Sequence, residues 1–301
     1  MRLTRLEHLV EAARSAGRRR LAVAYGHDPH TLKAVAEAVE AGLVSPVIFS
    51  PAGAVAAEAA RLGLDASAFE TVDCATDVQA VAAAVEAVSS GNADVLMKGL
   101  VSSDKYMRGI LDKTHGLLPQ GGLLTHVSVI GIPSFDRLLV VGDVAVIPAP
   151  DFKQKLRILS CLTSTARRLG VERPKVALIA PSEQVLPSVQ SSTEAAVIAK
   201  MADRGQLGDI VADGPLSVDV ALYAETAAEK GVKGSAVAGE ADCLLFPNIE
   251  SGNTFFKCAT HMAGAPVAAM VAGTTAPCVL TSRGDTPESK LYSIALACLS
   301  V

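Results

Sequence analysis

Tryptophan is absent from this chain of 301 residues, and only four Tyr and seven Phe are present. Basic residues are also in slight deficit, 27 against 31 acidic, for a net charge of −4. A chain without stacking platforms or a basic excess is excluded as a nucleic-acid binder in the main. The six cysteines, at positions 74, 161, 243, 258, 278 and 298, stand singly, and no CxxC pair occurs. A zinc knuckle or thioredoxin motif is therefore ruled out, and the thiols read as reduced, small core residues. There is no GxGxxG, no GxxxxGK[ST] and no GxSxG, which removes the main support for dinucleotide, P-loop and serine-hydrolase readings. The N-terminal MRLTRLEHLVEAARSAGRRR lacks the apolar region of a signal peptide and reads instead as an amphipathic helix with Leu6, Leu9, Val10 and Ala13 inward. Residues 258–282 carry no Asp, Glu, Lys or Arg, but Pro266, Gly273 and Pro277 interrupt the run. A buried helix followed by a core strand is expected there rather than a membrane span, and the protein is expected to be cytoplasmic.

What is present is half hydrophobic by count, enough for about two domains with cores of Ala, Val, Leu and Ile. Strands are expected at 21–25, 46–49, 93–97, 124–130, 138–147, 175–180, 242–246 and 277–281. Helices are expected at 31–42, 52–62, 77–90, 103–113, 151–169, 192–204, 218–230 and 253–264. Strands apolar on both faces, separated by helices, indicate an α/β architecture with a mostly parallel sheet. A hairpin through Gly142-Asp143 is expected to join 138–141 to 144–147. GIPSFDR at 131–137 reads as a crossing between two halves.

Polar residues collect at four strand ends, where α/β sheets gather ligands. After the first, Lys98-Gly99 leads to Ser102, Ser103 and, further along the helix, Arg108. A cation at a buried strand end calls for an anion partner, whereas Ser102 and Ser103 suit helix capping first and binding second. After the second, Ser282-Arg283-Gly284 precedes Thr286-Pro287, an N-cap and N1 pair. Hydroxyl, guanidinium and helix N–H groups there can meet one oxyanion. The third carries Ser251, Asn253 and Lys257, with capping again an even alternative. At the fourth, Asp213-Gly214-Pro215 reads as a turn with Asp219 on the next helix. His27, Asp28 and His30 in GHDPH read as loop residues, Asp28 or His30 helping to start a helix; no metal site is expected.

The segments MKGLVSSDKYMRGILDK, LLVVGDVAVIPAPDFKQK, ADGPLSVDVAL, AGEADCLLFPNIESGNTFFK and VLTSRGDTPESKLYSIALA resemble, in order and spacing, the phosphate acetyltransferase/phosphate butyryltransferase family. The MKG opening and the ending of the last segment look closer to the butyryl branch. The resemblance implies reversible acyl transfer between coenzyme A and inorganic phosphate, both as substrates, with no cofactor. It also implies two α/β/α domains flanking a cleft, similar to isocitrate and isopropylmalate dehydrogenases, in a homodimer or larger assembly. The domains are then expected at 1–134 plus 275–301 and at 135–274. Carried over by motif, Ser282 and Arg283 look like the thioester- and phosphate-binding pair, assisted by Ser102, Ser103 and Arg108. In the acetyl branch a carboxylate lies seven residues after that serine; here the position is Ser289. Phosphate then attacks as its own dianion, or Asp285 helps, with helix capping an equal explanation of Asp285. Two alternatives remain: a catalytically silent coenzyme A-binding regulator, and a metal-dependent hydroxyacid dehydrogenase on the same fold.

Overall fold

Runs buried on both faces become parallel strands, each returned to the next by an amphipathic helix. The computed structural model describes residues 2–281 and 285–301. From the N-terminus come α1 (Glu7–Ser15), β1 (Arg19–Ala24), α2 (Pro29–Glu40), β2 (Val44–Ser50), α3 (Ala54–Leu62), β3 (Glu70–Asp73), α4 (Asp77–Ser89), β4 (Val95–Lys98) and α5 (Ser103–Ile110). The middle of the chain supplies β5 (Thr125–Ile130), β6 (Leu139–Gly142), α6 (Phe152–Arg168), β7 (Lys175–Ile179), α7 (Gln190–Asp203), β8 (Val211–Leu216), α8 (Val218–Leu222), α9 (Ala224–Glu229), β9 (Cys243–Leu245) and α10 (Ile249–Lys257). The last elements are β10 (Val267–Ala272), β11 (Cys278–Val279) and α11 (Pro287–Cys298).

Two compact units result. Leu6–Leu124 with Val267–Val301 forms one; Thr125–Pro266 with the N-terminal residues up to Arg5 forms the other. The family resemblance implies divisions at 134/135 and 274/275. In the structure β5 pairs with β6, and β10 pairs with β11, so each of those strands stays with its partner.

In the unit holding both chain ends from Leu6, the strand order is β3-β2-β1-β4-β11-β10. All neighbours run parallel except β10 against β11. Progress outward from β1 through β2 to β3 reverses when β4 lands on the other side of β1. That reversal opens a crevice at the carboxyl ends of β1 and β4. The other unit has the order β5-β6-β9-β7-β8, antiparallel only at β5 and β6.

Four local expectations are corrected. Residues 144–147 form no strand, because the Asp143 carboxylate draws the amides of Ala145, Val146 and Ile147 back onto itself. The antiparallel partner of β6 is β5, so GIPSFDR is the connection within that pair rather than a crossing between halves. Asp213-Gly214-Pro215 lies inside β8 rather than in a turn; β8 is an edge strand, where a proline lacking its N–H is tolerated. The uncharged stretch after Cys258 holds two strands, β10 and β11, and its Pro277 precedes the second. The short edge strand β3, exposed at every residue, had no apolar alternation to betray it.

Among the cysteines, Cys74, Cys243, Cys278 and Cys298 are buried as expected, whereas Cys258 is exposed. Burial pushes the Cys278 and Cys298 thiols up to about 12. No described helix is long and apolar enough to cross a membrane.

Candidate functional site

The carboxyl ends of β1 and β4 are fastened to each other by main chain. Gly99 N donates to Ala24 O at 2.9 Å and Leu100 N donates to Tyr25 O at 2.7 Å. Tyr25 takes the left-handed region, with φ +59°, a conformation few non-glycine residues adopt. A Cβ on Gly99 would lie 2.4 Å from Tyr25 O and 2.7 Å from Gly26 Cα. Both are backbone atoms, so Gly99→Ala must push the two strand ends apart. We expect it to cost about 1–3 kcal/mol and to lower the midpoint of a thermal melt followed by circular dichroism.

Above this junction lies a pocket of about 250 Å³ lined by Asp28, Pro29, His30, Thr31, Lys98, Gly99, Leu100 and Lys290. Its two lysines are each only 4% exposed. Lys98, the last residue of β4, donates to Val101 O at 2.9 Å and Gly99 O at 3.3 Å, and so holds the loop that leads into α5. Lys290 reaches the pocket from α11 and donates to Thr281 Oγ1 at 3.4 Å. Burial pushes its ammonium down, while the nearby carboxylates of Asp28 and Asp285 work in the opposite direction. Asp28 is the N-cap of α2: its Oδ1 accepts from Thr31 N at 3.0 Å, and Pro29 occupies the first helical position. Two buried cations at a reversal point favour an anion there, while the Asp28 carboxylate already occupies the N-terminus of α2.

Only some of the expected residues meet here. Lys98 lines the pocket, and Asp285 acts on its Lys290; the N-cap of α11 is Thr286, accepting from Ser289 N at 3.1 Å, so Asp285 is not the cap. Ser102 caps α5, accepting from Lys105 N at 3.3 Å, and Ser103 is exposed beside it. Arg108 pairs with Asp104 at 3.1 Å and faces a separate groove against Val78, Val81 and Val85 of α4. Gly109 permits that approach, since a Cβ there would meet Val81 Cγ1 at 2.4 Å. Tyr106 holds α5 over the sheet, its buried hydroxyl donating to Val279 O at 3.1 Å. Ser282 and Arg283 lie outside the described residues.

Ser251, Asn253 and Lys257 all ride on α10 in the other unit. That helix begins earlier than its Ser-Gly-Asn, at an Asn248 cap to which Ser251 Oγ donates at 2.7 Å. Asn253 Nδ2 donates to Val144 O at 2.9 Å, and Lys257 sits over the Phe256 ring. Among the described residues, no cluster of His, Cys, Asp or Glu is arranged to hold a metal ion.

Lys290, Asp28 and Thr31 were not singled out from sequence as binding residues. The signal for Lys290 was available: it is the lone cation of α11 and stands at the start of the run that buries Tyr292 through Cys298, where burying a charge is costly.

The family described as phosphate acetyl/butaryl transferase matches residues 78–298. A phosphate butyryltransferase of Clostridium acetobutylicum is 40% identical over 291 residues, covering 97% of this chain and 96% of the relative. A phosphate acetyltransferase of Thermotoga maritima is 38% identical over 292 residues, covering 97% and 98%. The crystal structure of a branched-chain phosphotransacylase from Enterococcus faecalis superposes with a TM-score of 0.83 at 28% identity, over 93% of this chain and 98% of that one. The matched span takes in β4, the Lys98 loop and α11 with its Lys290, and on it the chain belongs to the phosphate acetyl/butaryl transferase family.

Proposed function

We propose that this protein transfers a short acyl group reversibly between coenzyme A and inorganic phosphate, acting in the cytoplasm as a homodimer or larger assembly. The observation that carries the reading is near-full-length identity of 38–40% to proteins named for acyl transfer to phosphate. The buried lysines at the β1–β4 reversal support it, since an anionic acceptor needs a cationic seat. In the forward step a phosphate oxygen attacks the thioester carbon. A carbon–oxygen bond forms, the carbon–sulfur bond breaks with its electron pair going to sulfur, and the proton given up by phosphate ends on the thiol. No covalent enzyme intermediate is needed, so most of the task is holding two anionic substrates in line. On this reading Lys98 and Lys290 neutralise phosphate. Ser282 and Arg283 meet the thioester oxygen and the phosphate, and Ser102, Ser103 and Arg108 assist. Ser251, Asn253 and Lys257 contact coenzyme A, and Asp285 tunes Lys290.

The test is release of free thiol from acetyl-, propionyl- and butyryl-coenzyme A with and without phosphate. Phosphate-dependent release is expected with at least one of them. Silence across all three chain lengths would favour the regulator, and reduction of NAD without phosphate would favour a dehydrogenase.

A further inference from the structure

Nine large apolar side chains among the described residues are exposed, and of these Leu100 alone lines the pocket at the β1–β4 reversal. Single apolar residues on a protein surface are ordinary; Leu100 differs in being held where it is. Its own N–H donates to Tyr25 O at 2.7 Å. The Lys98 ammonium grips the loop on either side of it, donating to Gly99 O at 3.3 Å and to Val101 O at 2.9 Å. Val101 then turns inward, 1% exposed, and Ser102 starts α5 as its cap. Leu100 is left 42% exposed on a backbone fastened by those three hydrogen bonds.

The other walls separate charge from apolar surface. Both lysines are buried and lean on protein oxygens, Lys98 on its own loop and Lys290 on Thr281 Oγ1. The apolar side chains that meet solvent in this pocket are Leu100 and Pro29, the latter at the first position of α2. Covering such surface with the alkyl part of a ligand is favourable in proportion to the area removed from water. The loop follows Leu100 with exposed Ser102 and Ser103. An acyl thioester has the same order, an alkyl chain and then a carbonyl oxygen that accepts hydrogen bonds. We propose that the acyl chain of the thioester packs against Leu100, so that this residue sets a preference for acyl groups longer than acetyl. Apolar surface beside two cations suits a reaction in which phosphate must meet the acyl carbon. The inference rests on the acyl-transfer reading for acyl-coenzyme A being the ligand, and adds the residue that reads its chain.

Calorimetric titration of the intact protein with acetyl- and butyryl-coenzyme A, without phosphate, measures the preference independently of turnover. The ratio of kcat/KM for the two thioesters measures it during turnover. Butyryl carries two more methylenes than acetyl, and each methylene taken from water is worth about fourfold in affinity. The parent is therefore expected to favour butyryl-coenzyme A by about tenfold. Leu100→Ala should cut that ratio to about twofold or less in both measurements, through weaker handling of butyryl, while KM for phosphate stays put. Leu100→Met, which conserves volume and apolar character, should keep most of the ratio. Both variants should melt within about 2 °C of the parent in the absence of ligand, because the altered side chain is exposed. A butyryl-to-acetyl ratio that Leu100→Ala leaves unchanged, equal losses on both thioesters, or a parent indifferent to chain length would overturn the proposal. A binding preference that is lost in Leu100→Ala, in a protein that never releases thiol, would support the contact and count against acyl transfer. Phosphate-dependent release with a ratio insensitive to Leu100→Ala would do the reverse.

Discussion

Asp143→Ala is expected to destabilise the Thr125–Pro266 unit by at least about 4 kcal/mol, with a fall in melting temperature of about 10 °C or more. Asp143 is 2% exposed at the end of β6, and its carboxylate accepts five hydrogen bonds. Oδ1 takes the amides of Ala145 and Val146 at 2.7 and 2.9 Å. Oδ2 takes the Thr125 hydroxyl at 2.9 Å and the amides of His126 and Ile147 at 3.1 and 3.3 Å. Alanine would leave four backbone N–H groups without their acceptor at once. Each orphaned donor costs about 1–3 kcal/mol, less where water can enter. Against a total stability of about 5–15 kcal/mol, that sum is large enough to decide whether the unit folds.

The damage would spread to α10. Gly252 packs so closely on the same loop that a Cβ would lie 2.5 Å from Asp143 O, and Asn253 donates to Val144 O. Loosening the loop therefore displaces the helix that carries Ser251 and Lys257, so thiol release should fall with stability. Asp143→Asn should be milder, because one oxygen remains while the amide group faces donors. A thermal melt of Asp143→Ala within about 2 °C of the parent would refute the assignment of this carboxylate as the organiser of the loop.

The same residue illustrates what the sequence could and could not disclose. Gly142-Asp143 between two apolar runs has the local chemistry of a hairpin turn, and nothing within ten residues says otherwise. What overrides it is the pairing of β6 with β5 and with β9, both distant in sequence. The α/β class was legible because β1 and β4 are apolar on both faces and separated by Ala- and Val-rich helices. Lys98 was legible because a cation at the end of such a strand is conspicuous. Asp28 was not, because an N-cap aspartate has a sufficient local explanation. Only the tertiary structure shows that Oδ1 makes the cap while Oδ2, without a hydrogen-bond partner, is buried near Lys290.

Arg283→Ala is expected to lower phosphate-dependent thiol release by about 10²–10³-fold, the loss typical when one donor to a developing oxyanion is removed. The protein carries a net charge of −4 while both proposed substrates are anions, so a few local cations must do the holding. A guanidinium offers a planar pair of N–H donors matched to two oxygens of one phosphate, which an ammonium does not. Arg283→Lys should accordingly recover only part of the rate, separating geometry from charge. The fold should survive both changes. α11 is fixed independently by the Thr286 cap, Pro287 at its first position and a buried face from Tyr292 to Cys298, and β11 by its pairing with β4. The decisive pair of measurements is kcat/KM for phosphate and the melting temperature of each variant. A large kinetic loss at constant melting temperature supports a direct role for Arg283 in acyl transfer. Near-parental phosphorolysis in Arg283→Ala would remove the arginine from the site and leave the anion to Lys98 and Lys290.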